Sequence, residues 1–210
     1  SFVIPPAVAN GVVFANCFNS NFSVVAINET YGTNIWNGAS PSAWTGKVFG
    51  VKGAVIAGFQ NAVLVVPTTL GVISYDIATG AINAFSTIPT LSLNIVEACE
   101  AGFAPSTWHV VYCTMFRGES THDWGYYAFN ATSGALIWEK TIASQGFPFL
   151  HRPQPTPCGF VIMTSANRSV WALDGLTGSI KWSLDADKPG TGKFRPGFMT
   201  HFTEQLIFSF

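Results

Sequence analysis

Short apolar runs recur along the chain. Each ends in a polar turn, and none carries the 3.6-residue periodicity of a long helix. Val12 to Ala15, Ala62 to Val66, His109 to Thr114 and Phe160 to Thr164 read as strands. After each comes a second apolar strand that runs into Asn28, Asp76, Asn130 or Asp174. Four residues further on stands Gly32, Gly80, Gly134 or Gly178, spaced by 48, 54 and 44 residues. A small residue (Ala26, Ser74, Ala128 or Ala172) precedes each Asn or Asp by two places. Trp36, Trp138 and Trp182 follow their glycines by four places, whereas the second copy has Ala84 there with Phe85 beside it. Agreement at this many fixed offsets marks an internal repeat.

The chemistry of the unit explains its composition. An Asn or Asp side chain accepts backbone N–H groups two residues on and fixes a turn. Gly32, Gly80, Gly134 and Gly178 supply the positive φ that closes the hairpin. The returning strand ends in an indole, a large flat group with one N–H donor, suited to wedging between sheets. Each repeat is therefore predicted to be an antiparallel sheet of three or four strands. Such sheets, repeated every 40 to 50 residues, are the blades of a β-propeller.

At these residues the pattern resembles the PQQ-like (quinoprotein dehydrogenase-like) propeller repeat, whose blades carry an Ala-x-Asp/Asn-x-x-x-Gly-x-x-x-Trp motif. The resemblance spans Pro5 to Asp187. It implies that Trp36, Trp138 and Trp182 dock blade to blade, and that the second junction departs from the pattern with Phe85 as substitute. The predicted fold is all-β, a single propeller-type array of about four antiparallel blades plus a partial fifth. The blades are placed at about 1–46, 47–92, 93–147 and 148–190, with the partial one at 191–210. Phe194 to Pro196 echoes the stretch ending in His151, Arg152 and Pro153, and Gln205 to Phe210 reads as opening strands of the fifth blade. Propellers of the resembled family close with seven or eight blades. Either the sequence is a fragment, or another chain supplies the missing strands; closure with four alone leaves the remainder unpaired.

Composition narrows the function. Of 210 residues 48% are hydrophobic, 14% aromatic and only 10% charged, against about 25% charged in ordinary soluble domains. Disorder is excluded. Ten basic residues against eleven acidic give a net charge of −1, with no basic cluster to neutralise phosphates, so nucleic acid is not an expected partner. No apolar run approaches the roughly 18 to 20 residues of a membrane-spanning helix; Gln60 and Asn61 break the most apolar stretch, Gly53 to Val66.

The chain starts at Ser1, without Met or a charged-then-apolar leader, as expected if a signal peptide is removed or lies outside the sequence. Four Asn-x-Ser/Thr triplets begin at Asn21, Asn28, Asn130 and Asn167 and lean towards secretion. Cys17, Cys99, Cys113 and Cys158 form an even set without C-x-x-C spacing, which disfavours zinc and points to two disulfides. Three pairings are open, the alternative being four reduced, buried thiols. Cys99 and Cys113 flank a predicted hairpin and are the favoured pair, which leaves Cys17 with Cys158. Attached glycans, or a large contact area, would explain how so uncharged a surface stays hydrated.

Catalytic patterns are sparse. Enzymes of the resembled family hold a quinone at the centre of a closed ring, with calcium and a catalytic Asp, and many have a disulfide between adjacent cysteines. No adjacent Cys pair exists here, and Glu29, Asp76 and Asp174 occupy turn positions. His109, His122, His151 and His201 lack ligand spacing. Lys188 to Lys193 is glycine-rich like a phosphate loop, but Phe194 stands where Ser or Thr is required. Arg117 to Trp124, the longest polar insertion, reads as a solvated hairpin tip or a recognition loop. No catalytic, cofactor-binding or metal residue is assigned.

The leading expectation is an extracellular, N-glycosylated, non-catalytic module with a structural or interaction role. Its partners would be itself or another propeller chain, through exposed blade edges. Head-to-tail contact that does not close would give a filament. The alternatives are a fragment of a quinoprotein dehydrogenase and a carbohydrate- or protein-binding propeller.

Overall fold

A computed structural model of the chain describes residues 6–16, 22–42, 53–58, 62–68, 71–87, 94–117, 123–142, 152–164, 169–185, 199–202 and 205–208. Four sheets follow one another, each with four antiparallel strands in chain order. The first holds β1 (Ala7–Ala9), β2 (Val12–Asn16), β3 (Phe22–Asn28) and β4 (Asn34–Ala39). The second holds β5 (Val55–Ala57), β6 (Val63–Pro67), β7 (Gly71–Asp76) and β8 (Ile82–Thr87). The third holds β9 (Asn94–Ala101), β10 (Val110–Arg117), β11 (Asp123–Asn130) and β12 (Leu136–Ile142), with a short 3-10 turn at Pro105–Thr107 between its first two strands. The fourth holds β13 (Gln154–Pro155), β14 (Phe160–Thr164), β15 (Ser169–Asp174) and β16 (Ile180–Asp185). A further antiparallel pair, β17 (Met199–Phe202) and β18 (Gln205–Phe208), sets Met199 opposite Phe208.

The first strands of successive sheets touch: β1 meets β5, β5 meets β9 and β9 meets β13. They line the axis, and the fourth strands lie outermost. This is the arrangement of propeller blades.

Alternation along the strands builds the core. In β6, Leu64 and Val66 face the first sheet, packing with Phe14, Val24 and Ala26, while Val63 and Val65 face Val111, Cys113 and Met115 of the third. Every residue of β6 is buried, so a strand sandwiched on both faces reads as a continuous apolar run instead of alternating. In β10, Val110 and Tyr112 turn the other way, towards Val161, Met163 and Leu173 of the fourth sheet.

The hairpin between third and fourth strands is built identically four times. Asn28 Oδ1 accepts the N–H groups of Thr30 and Tyr31 at 3.0 and 2.9 Å. Asp76, Asn130 and Asp174 do the same two and three residues on, at 2.8 to 3.1 Å. Gly32, Gly80, Gly134 and Gly178 have φ of 66°, 71°, 69° and 67°, a conformation that costs residues with a Cβ about 1–2 kcal/mol. Each returning strand carries a bulge at the same place. The small residue then pairs with the wedge position: Ala26 with Trp36, Ser74 with Ala84, Ala128 with Trp138 and Ala172 with Trp182. Lacking bulk, it leaves room for the ring.

Cys99 and Cys113 stand directly opposite each other on β9 and β10, with Cα atoms 4.2 Å apart, and are joined by a disulfide. The expected second bridge is not made. Cys158 is a free, exposed thiol in the turn between β13 and β14, where no other described cysteine reaches it; Cys17 lies outside the described residues. Also outside them are Asn21, Asn167, His122, His151, Lys188 to Lys193 and most of the Arg117 to Trp124 loop.

Candidate functional site

The repeated hairpin creates a repeated junction. Each outer strand presses its wedge residue onto the turn of the next sheet. At the first junction the Trp36 ring covers Gly80, where an added Cβ would come within 2.5 Å of Trp36 Cε3. Phe14 and Tyr75 flank that indole, with ring centroids 5.7 and 6.4 Å away, and the Tyr75 hydroxyl donates to the carbonyl of Ala39 across the junction at 2.9 Å. At the third junction Trp138, only 8% exposed, covers Gly178 and donates its indole N–H to the carbonyl of Gly175 at 3.0 Å. Tyr112 backs this contact, and Tyr126 spans the same sheets by donating to the carbonyl of Thr164 at 2.6 Å.

The second junction uses no indole. Ala84 stands in the wedge register, and its Cβ and the backbone of Phe85 face Gly134 at 3.2 to 3.5 Å from an added Cβ. The Phe85 side chain, expected to substitute for Trp, is instead 46% exposed. The register explains this: the bulge puts Ala84, not Phe85, opposite Ser74.

Two halves of the pattern are left over. Trp182, expected to dock like the others, is 41% exposed. Among the described residues the fifth sheet has only β17 and β18, with no Asn/Asp-x-x-x-Gly turn to receive it. At the opposite end the Gly32 turn has nothing within 4 Å of an added Cβ. Gly32 is exposed and Tyr31 is 78% exposed, whereas Gly80 and Gly134 are buried. The sheet face beside this turn is apolar and only partly buried. Val8, 53% exposed, pairs with Val13, which pairs with Ile27. The positions equivalent to Ile27 in the other sheets, Tyr75, Phe129 and Leu173, are fully buried against the preceding sheet.

Titratable groups serve packing. Burial pushes the Tyr112 hydroxyl up to about 12, with Asp174 adding to it and the Thr107 side chain opposing. Burial also raises Tyr126, and raises Glu100 against the opposing pull of Arg152. Arg152 ion-pairs with Glu100, and its Nη2 reaches the carbonyl of Cys99 at 3.5 Å, tying the start of the fourth blade to the inner strand of the third. No three His, Cys, Asp or Glu side chains converge among the described residues. Those residues therefore do not form the carboxylate set that would hold a calcium ion beside a quinone.

Comparison with known proteins agrees with this architecture. The family model described as outer membrane protein assembly factor BamB, of the PQQ_2 type, matches residues 98–208, more than half of the chain. The chain belongs to this PQQ-like repeat family. Among solved structures, BamB from Moraxella catarrhalis superposes with a TM-score of 0.61 at 18% identity, covering 98% of this chain and 54% of that one. The quinohemoprotein alcohol dehydrogenase from Comamonas testosteroni gives 0.59 at 15% identity, covering 87% and 34%. The Dos1 propeller gives 0.64 at 9% identity, covering 94% and 50%. At these identities the likeness is one of fold. The chain spans about half the length of the BamB structure it matches. No curated protein matches the sequence.

Proposed function

We propose that this chain is a secreted, N-glycosylated, non-catalytic propeller module with a structural or interaction role. The carrying observation is the outer face of the first sheet, where Val8 and the Gly32 turn are exposed and Ile27 is half-buried, whereas Tyr75, Phe129 and Leu173 at the position of Ile27 are buried in the later sheets. An apolar surface of this kind is an interaction site in a folded protein. The family description, an assembly factor, supports the same role. The disulfide between Cys99 and Cys113 supports an oxidising compartment, and no described helix is long and apolar enough to cross a membrane. Asn28 and Asn130 sit in turns where Oδ1 is engaged by backbone N–H groups; the amide nitrogen is the atom that would take a sugar. Addition of strands to the two-stranded fifth sheet is one form such assembly takes, and a filament is its open-ended product.

The likeness to quinohemoprotein alcohol dehydrogenase keeps a second reading, a piece of a quinoprotein oxidoreductase. One experiment separates the two. The chain expressed through a secretory pathway is assayed for dye reduction with quinone and calcium, and its mass is compared before and after enzymatic removal of N-glycans. Sugar loss without dye reduction is expected. Quinone-dependent dye reduction, or an unglycosylated secreted chain, overturns the proposal.

A further inference from the structure

The four repeat turns split into two pairs. Asn28 and Asn130 each open an Asn-x-Thr triplet, and seven residues on from each stands an isoleucine, Ile35 or Ile137, 47% and 37% exposed. Asp76 and Asp174, which have no side-chain nitrogen to take a sugar, are followed at the same distance by polar Asn83 and Lys181, both exposed. The fourth turn shows what the spacing means. Asp174 Oδ1 accepts the N–H groups of Leu176 and Thr177, and the other oxygen, Oδ2, meets Lys181 Nζ at 3.4 Å. In the third turn Asn130 Oδ1 accepts the N–H groups of Thr132 and Ser133 in the same way. Gly134 and Gly178 have φ of 69° and 67°, and Ile137, like Lys181, stands at the bulge of the returning strand. The matched backbone therefore sets Asn130 Nδ2 where Asp174 Oδ2 lies, on the side of the turn that carries Ile137.

We infer that Asn130 Nδ2 carries an N-linked glycan whose first N-acetylglucosamine lies over Ile137. This rests on the reading of the chain as secreted and N-glycosylated, and it names the amide that is used and the surface that the sugar covers. The step forms a bond between Asn130 Nδ2 and C1 of the sugar. It breaks the bond from C1 to the diphosphate of a lipid-linked oligosaccharide, and releases the lipid diphosphate and one proton. The C–H face and acetyl methyl of the sugar then take isoleucine surface out of water, where in the fourth turn a cation meets a carboxylate instead. The third turn lies inside the array, and its junction is already closed. The outer strand of the second sheet covers Gly134, yet Thr132, Ser133 and Ile137 stay exposed. A sugar on Asn130 is thus compatible with the packing of the second blade on the third.

The full chain is produced in a glycosylating secretory host and peptide-mapped after enzymatic glycan removal in heavy-oxygen water, which leaves a labelled Asp wherever an Asn bore sugar. Label at position 130 is expected. Thr132→Ala then destroys the triplet without touching Asn130 or the N–H groups of its turn. It is made both in the parent and in Ile137→Lys. In the glycosylated chains Thr132→Ala is expected to lower the thermal midpoint of the parent by about 2–4 °C, the scale of one modest contact in a chain of this size. In the Ile137→Lys background it is expected to change nothing. In chains produced without glycosylation Thr132→Ala is expected to be neutral in both backgrounds, which separates the sugar from any structural role of Thr132. No sugar on Asn130, no fall in the parent, or an equal fall in both backgrounds overturns the inference. Sugar on another triplet with none on Asn130 overturns it while the secreted, glycosylated reading stands; a secreted chain with no sugar at all overturns both.

Discussion

Trp138 donates its indole N–H to the carbonyl of Gly175, 3.0 Å away, from the outer strand of the third sheet into the turn of the fourth. The same ring fills the space over Gly178, where a Cβ would come within 2.8 Å of it. A buried donor and a close-packed face thus act together at one junction. Trp138→Phe keeps most of the packing but leaves the Gly175 carbonyl unpaired, at a cost of about 1–2 kcal/mol. Trp138→Ala also opens a cavity and costs about 3–5 kcal/mol. Urea denaturation of both variants checks the ordering. Equal losses would mean that the hydrogen bond contributes everything and the ring nothing.

Gly80 and Gly32 separate backbone strain from packing. Both have positive φ, so alanine at either costs about 1 kcal/mol or slightly more for the backbone alone. At Gly80 the new methyl also meets the Trp36 ring within 2.5 Å, whereas at Gly32 it meets open space. Gly80→Ala is therefore expected to be the more destabilising in the monomer, by the 1–3 kcal/mol typical of overpacking, roughly. Chemical denaturation at a concentration where the chain is monomeric measures the difference. Indistinguishable values would show that Trp36 yields freely.

The second repeat departs from the others at two paired positions, Ser74 and Ala84. Ser74 is 3% exposed, and its hydroxyl has no hydrogen-bond partner among the described residues. The other repeats have Ala26, Ala128 and Ala172 there. Ser74→Ala removes an unsatisfied polar group without changing the shape of the site, and is expected to stabilise by about 1 kcal/mol. A rise in thermal midpoint checks this; a fall would reveal a partner for the hydroxyl.

Much of the blade was legible because its parts announce themselves locally. The Asx turn, the positive-φ glycine and the wedge lie within a dozen residues of each other, so fixed offsets expose them. The second strands were legible because burial on both faces makes continuous apolar runs, as in β6. The short inner strands β1, β5 and β13 were not, since two or three residues hold no alternation to read. The fate of each tryptophan was equally hidden. Trp138 and Trp182 have the same local sequence context, but Trp138 meets the Gly178 turn of the next sheet, and among the described residues no such turn meets Trp182. Phe85 misled for a related reason: aromatic character suggested a wedge, but the bulge fixes register, and register selects Ala84. Cys158 shows the same limit, because an even cysteine count says nothing about where each thiol points.

Among the described residues, the two turn aspartates contribute stability that is lost in acid. The Thr79 hydroxyl, then the N–H groups of Thr79 and Ala78, hold the Asp76 carboxyl below its ordinary value against a smaller effect of burial. At Asp174 burial is the largest single influence and acts upward, but the Thr177 and Leu176 hydrogen bonds with Lys181 together outweigh it, and the carboxyl is again lowered. A carboxyl lowered in the folded state contributes stability that is complete above its unfolded value, near 3.9, and lost as pH falls through the folded one. Glu100, raised by burial, works in the opposite sense: its contribution is present at low pH and is lost as pH rises. Asp76→Asn with Asp174→Asn keeps the Oδ1 acceptor, as Asn28 and Asn130 do naturally, but cannot titrate. Between about pH 5 and about pH 2 the double variant is expected to lose less stability than the parent. Denaturant midpoints measured across that window decide it, and parallel curves would place the acid sensitivity elsewhere in the chain.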